Sequence, residues 1–208
     1  MILDIILLMV FAVGPAIILH EYAHGWVAYR LGDSTAKDMG RLTLNPIKHI
    51  DPIGSILVPG GLFLLYKLGV AHSLIFFGWA KPVPVNFRRL KNLRLGMMLV
   101  AAAGPLTNVI LAYGYIWLYK LQIFSSLSTV WQWAILFNII ICVFNLMPIP
   151  PLDGSRIVTG LLPRQLAYYY SQLEPFGLII VVVLLQMGLL RFLYPLMSAL
   201  AYALGVER

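Results

Sequence analysis

His20, Glu21 and His24 stand within five positions of one another, in the string HEYAH, inside an apolar run that begins near the N-terminus. His20 and His24 are four apart, so on an α-helix their imidazoles share one face and can grip one ion. Glu21, about 100° round the same helix, reaches a water on that ion. The chemistry this pattern supports is metal-assisted activation of water. An ionisable group inside a membrane span costs at least ~2.5 kcal/mol on insertion scales, so such residues are functional by default. The plain structural alternative is a polar helix face packed against other polar groups.

A catalytic zinc takes three protein ligands and keeps one position open, so a third donor must come from elsewhere in the chain. Asp4 is on the same helix but roughly 24 Å from His20 by helical rise. His49 and His72 lie in or beside loops, and Asp33, Asp38 and Asp51 sit in polar loop sequence where solvated carboxylates are the default. Asp153 differs, because it ends an apolar span in NLMPIPPLDGSRI, residues 145–157. Pro148, Pro150 and Pro151 forbid a continuous helix there, and unwound backbone at membrane depth needs protein or a watery cavity around it. Depth, isolation and a broken helix make Asp153 the third-ligand candidate. A carboxylate capping the following segment remains the alternative.

The elements that must position these groups are overwhelmingly apolar. Of 208 residues 61% are hydrophobic and 11% charged, with mean hydropathy +0.87, against about 25% charged in a soluble domain. That excludes a soluble globular protein, a disordered tail and a secreted disulfide scaffold. The single cysteine, Cys142, makes no intrachain disulfide and reads as a small core residue. Net charge is +7, but the basic residues are scattered through inter-helix segments, a topology signal rather than a nucleic-acid face. At about 20 residues per crossing, the chain reads as an all-α polytopic membrane protein. It holds about five to six transmembrane helices in a single membrane-embedded domain over 1–208, without a cleavable leader.

The first helix is expected over about 2–31, kinked near Gly14-Pro15, with spans at about 95–118, 131–147 and 176–190 and a weaker apolar piece at 192–206. The 53–80 block, broken by Pro59-Gly60-Gly61 and Lys67, reads as two short spans or a re-entrant hairpin. Four Lys/Arg lie in 30–49, five in 81–94 and two in 155–172. These place the named loops, and the candidate site, on the cytoplasmic side if the 53–80 block goes in and comes back. Trp117, Tyr119, Trp131 and Trp133 suit an interfacial belt on the opposite side.

HEYAHGW, AAGPLTN (102–108) and the N…P…LDG arrangement within 145–154 together resemble the site-2 protease family of intramembrane zinc metalloproteases. GRLTLNPIKHIDPIG (40–54) and GWAKPVPVN (78–86) look like its compact prokaryotic branch, without PDZ or CBS domains, and the match runs from the first helix to about residue 177. The resemblance implies one Zn2+ per chain held by His20, His24 and Asp153, with Glu21 as the catalytic glutamate. Asn145 matches the family's asparagine near the active site. It is a candidate donor to an oxyanion, or else a buried amide bonding a neighbouring helix. The implied activity is a metalloendopeptidase in the prokaryotic inner membrane, cutting transmembrane protein or peptide substrates within the lipid bilayer. The rival readings are a zinc or proton transporter using the His/Glu cluster, which should show paired broken helices, and an inactive membrane-helix-binding scaffold.

Two smaller features complete the expectations. Asn108, after Gly104-Pro105, either holds the active-site helices together or belongs to an ordinary helix start. The segment 78–86 contains two prolines, so it can only be an extended edge or irregular backbone. As an edge it could lend main-chain hydrogen bonds to an unwound substrate, and as a basic loop it would only set topology.

Overall fold

The computed structural model describes residues 2–69 and 78–206, and helices are the regular secondary structure among them, with no strand. Four helices are long and apolar enough to cross a membrane: Leu3–Arg30, Leu93–Lys120, Ser125–Asn145 and Arg164–Gln186. A fifth apolar helix, Pro52–Lys67, is shorter. The chain is a multi-pass membrane protein.

The first span is built from α1 (Ile2–Leu8), a π-helical turn (Met9–Val13) and α2 (Gly14–Arg30). At Gly14-Pro15, where a kink is expected, the span carries that π turn, with Gly14 N–H reaching back to Met9 O. Pro15 has no N–H, so the carbonyl one turn earlier, Phe11 O, loses its helical partner. The Tyr115 hydroxyl supplies one, donating to Phe11 O at 2.7 Å. In a lipid environment that replacement matters, because no water is present to satisfy the carbonyl. Tyr115→Phe is expected to lower stability by about 1 kcal/mol, read as an earlier unfolding transition in detergent, with metal content unchanged.

After Arg30 the chain passes through a short helix, α3 (Thr35–Asp38), and two irregular turns to α4 (Val58–Lys67). The two ends of the 53–80 block meet: Trp79 N–H donates to Gly54 O at 3.1 Å, and Lys81 N–H to His49 O at 2.9 Å. Whether the block spans twice or re-enters turns on residues 70–77, which lie outside the described residues, as does His72. Residues 78–86 have no regular secondary structure, the irregular alternative their prolines allow, and no strand among the described residues pairs with them.

α5 (Leu93–Lys120) is the hub, packing on α2, α6 (Ser128–Asn145) and α7 (Asp153–Leu161). Cys142 is buried, as expected. Trp117, Tyr119 and Trp133 are exposed, but Trp131 is not the interfacial residue its position suggests. It is buried and stacked on Tyr115 at 5.9 Å, and its indole N–H is satisfied by Ile123 O at 2.9 Å. α8 (Arg164–Ser171) and α9 (Gly177–Gln186) form the last long span. The apolar tail is a helix, α10 (Leu189–Ala203), whose Leu193, Met197 and Leu200 pack on Ile135, Ile139 and Val143.

Candidate active site

His20 and His24 project from the middle of α2 toward α5, and Asp153 enters from the first residue of α7. His20 Nε2 lies 3.1 Å and His24 Nε2 3.3 Å from Asp153 Oδ2, and the two Nε2 atoms are 3.0 Å apart. Ligand atoms ~2.0–2.1 Å from a tetrahedral zinc stand about 3.3 Å from one another. The three atoms thus trace one face of such a tetrahedron. Asp153 Oδ2 is buried and accepts no hydrogen bond of good geometry, although both imidazoles face it. A buried carboxylate oxygen without a donor is costly in a folded protein, and a cation at the centre of the three atoms would satisfy it.

The other ring nitrogens explain why both Nε2 atoms are free to ligate. His24 Nδ1 is 2.7 Å from Val100 O. A carbonyl only accepts, so Nδ1 carries a proton, and in the neutral ring that leaves the lone pair on Nε2. For His20 the same result is reached through two asparagines. Asn138 Nδ2 donates to Ala134 O at 2.8 Å, which turns its Oδ1 toward Asn108. Asn108 Nδ2 then donates to Asn138 Oδ1 and to Ala16 O, both at 2.9 Å, and this turns Asn108 Oδ1 onto His20 Nδ1 at 2.6 Å. Two helix carbonyls therefore set the His20 tautomer through a fully buried amide relay. Partners of this kind orient metal-binding imidazoles and raise their basicity. Asn108 joins α2, α5 and α6, the functional alternative for it.

Gly104 lets α5 come this close. A Cβ there would sit 2.5 Å from His24 Nε2 and 2.6 Å from His20 Nε2. The LDG turn is equally tight, since Gly154 rests on the carbonyls of Leu146 and Met147, where a side chain has no room. Ser155 Oγ donates to Leu152 O at 2.7 Å, and Tyr170 O–H donates to Pro148 O at 2.7 Å. Arg156 pairs with Glu174 and lies over the Phe87 ring at 5.5 Å, pinning α7 from its other side.

Glu21 accepts a hydrogen bond from Val83 N–H at 2.8 Å through Oε2. The structure brings His20, His24 and Asp153 together, and they form the only cluster of metal-ligating type among the described residues. His49, the alternative third donor, is elsewhere, its Nε2 2.8 Å from Thr43 O. Asn145 ends α6, and its Nδ2 donates to Ile141 O at 3.0 Å, one turn back in its own helix. Asp33 overturns an expectation. It is fully buried rather than solvated, because it accepts from Thr35 N, Thr35 Oγ1 and Asn86 N.

Asn138 was invisible to motif spacing. The signal that could have found it is the one that marked HEYAH, a polar group in the middle of an apolar span.

An all-helical membrane bundle with two imidazoles and a carboxylate converging between its spans is a metallohydrolase architecture. The chain belongs to peptidase family M50, the site-2 protease family, and is a metalloprotease. The model for "Peptidase family M50" matches residues 118–188. The chain is 40% identical over 195 residues to a Bacillus subtilis protein named "Putative zinc metalloprotease YwhC", covering 87% of this chain and 81% of the relative. It is 30% identical over 171 residues to a Mycolicibacterium smegmatis protein named "Putative zinc metalloprotease Rip2", covering 80% of this chain and 62% of that protein. No solved structure gives a significant match.

Proposed function

We propose that this chain is an intramembrane zinc endopeptidase that cleaves transmembrane segments of other membrane proteins, with one zinc per chain bound by His20, His24 and Asp153. The observation that carries this reading is the convergence of three donor atoms with both Nδ1 positions already committed to acceptors. The residues fit zinc in type, number and spacing. Bound there, the ion supplies Lewis acidity, lowering the pKa of a water and polarising a scissile carbonyl.

The chain's own residues do the rest. With Oε2 held by Val83, Glu21 uses Oε1 to take a proton from the attacking water and return it to the leaving amine. Asn145 Nδ2 carries a second hydrogen besides the one given to Ile141 O, and that hydrogen is the candidate donor to the oxyanion. His20 is about 15 Å of helical rise from Arg30, where the first span ends, which supports a site below the membrane surface. Positive-inside asymmetry and bacterial relatives support a prokaryotic inner membrane with the site toward the cytoplasm.

The test uses purified protein in liposomes with a single-span model substrate. Cleavage is expected to stop with a chelator and return with zinc. Glu21→Gln is expected to keep stoichiometric zinc and lose about 10²–10⁴-fold in rate. Loss of zinc in that variant makes Glu21 a ligand. Zinc movement across the bilayer without cleavage makes the chain a transporter.

A further inference from the structure

The carboxylate that moves protons is held by a single main-chain N–H, and what holds that N–H lies outside the zinc site. Val83 stands between Pro82 and Pro84, so it supplies the only N–H in that tripeptide. Pro84 also confines Val83 to extended backbone. The strap crosses α2 at Gly25, where a Cβ would lie 2.8 Å from Val83 Cγ1. On one side of Val83, the buried Arg41 guanidinium donates through Nη2 to Lys81 O at 2.8 Å and Pro82 O at 3.2 Å. On the other, Asp33 Oδ2 accepts from Asn86 N–H at 2.6 Å, with Oδ1 bound to Thr35.

Two buried charged side chains, neither paired with an opposite charge among the described residues, thus each bind main-chain atoms of one six-residue strap, Arg41 through Nη2 and Asp33 through Oδ2. A buried guanidinium or carboxylate is costly to keep, the more so for Arg41, whose Nε has no hydrogen-bond partner. A loop that merely sets topology needs neither. The same geometry removes 81–83 from use as a free strand edge, since the Lys81 and Val83 N–H groups and the Lys81 and Pro82 carbonyls are already engaged.

We propose that Arg41 and Asp33 are positioning residues for peptide hydrolysis, fixing the two ends of the 81–86 strap so that Val83 N–H holds Glu21 in line with the metal-ligand cluster. The proposal rests on the protease reading of Glu21. A misplacement of about 1 Å in a catalytic group can cost 10²-fold in rate. Arg41→Gln and Asp33→Asn are therefore expected to lower kcat by about 10- to 100-fold with KM within about twofold and zinc content unchanged. Arg41→Lys, which keeps a charged donor, is expected to recover part of the loss.

Val83→Pro removes the N–H itself. Combined with Arg41→Gln it is expected to be no worse than the poorer single variant, because both act through one contact. Hydrogen exchange gives a reading without activity. In zinc-free protein the Val83 amide is expected to be protected, and to exchange at least about tenfold faster in Glu21→Ala and in Arg41→Gln.

The proposal is overturned if wild type cleaves and Arg41→Gln cleaves at the same kcat, if the double variant shows multiplied losses, if zinc leaves together with kcat, or if the wild-type Val83 amide exchanges freely. A wild type that protects Val83 but cleaves nothing with zinc present sinks the protease reading itself, and the positioning role with it.

Discussion

Asp153→Ala is expected to abolish stable zinc binding and, with it, all measurable proteolysis. Two imidazoles on adjacent helical turns are an incomplete set for a catalytic zinc, which takes three protein ligands. Asp153 Oδ2 is the only carboxylate atom beside both Nε2 atoms among the described residues. Partners one step removed from a metal already cost 10–100-fold in affinity when lost, so a direct ligand should cost more than about 100-fold. The measurement is zinc per chain after gel filtration in detergent, beside the unfolding transition. The contrast with Glu21→Gln separates the two roles. Zinc retained at parental affinity in Asp153→Ala would move the third ligand elsewhere.

The second large effect is expected at a residue with no functional group. Gly104→Ala places a methyl 2.5 Å from His24 Nε2 and 2.6 Å from His20 Nε2, inside the contact distance of any pair of heavy atoms. Either α5 backs away from α2 or the imidazoles turn, and both break the triangle of donors. Zinc affinity is expected to fall at least about tenfold, and cleavage with it. Gly114, ten residues along the same helix, has open space where a Cβ would sit. Gly114→Ala should be neutral or stabilise by up to about 1 kcal/mol through helix propensity alone. Equal behaviour of the two variants would show that the close approach at Gly104 carries no weight.

The spans and the HEYAH face were legible because both depend on local periodicity. A run of apolar residues declares a crossing, and two histidines four apart declare a shared face before any partner is known. Asp153 was legible for a related reason, since three prolines announced broken backbone at the end of a span. Asp33 was not. Gly32-Asp33-Ser34-Thr35 has the composition of a solvated turn, and its bond to Thr35 is that of an ordinary Asx turn. The partner that explains its burial, Asn86 N–H, is 53 positions away and belongs to the backbone, so no side-chain pattern marks it. The same holds for Arg41, counted in sequence as one of several loop charges and found bound to two carbonyls of the strap. Trp131 reads as an interface residue by its place in the chain, and only the π-turn and Tyr115 across from it make a core site there.

The donors also come from distant parts of the chain. His20 and His24 emerge early in synthesis, and Asp153 follows more than a hundred residues later. Between these two moments the first span's Glu21, His24 and His20 can meet Val83, Val100 and Asn108, but the carboxylate that faces both Nε2 atoms has yet to be made. The amides of Asn108 and Asn138, which fix the His20 tautomer, also come after the first span. On the proposed ligand set, the nascent chain is therefore inert as a hydrolase until α7 has left the ribosome and docked.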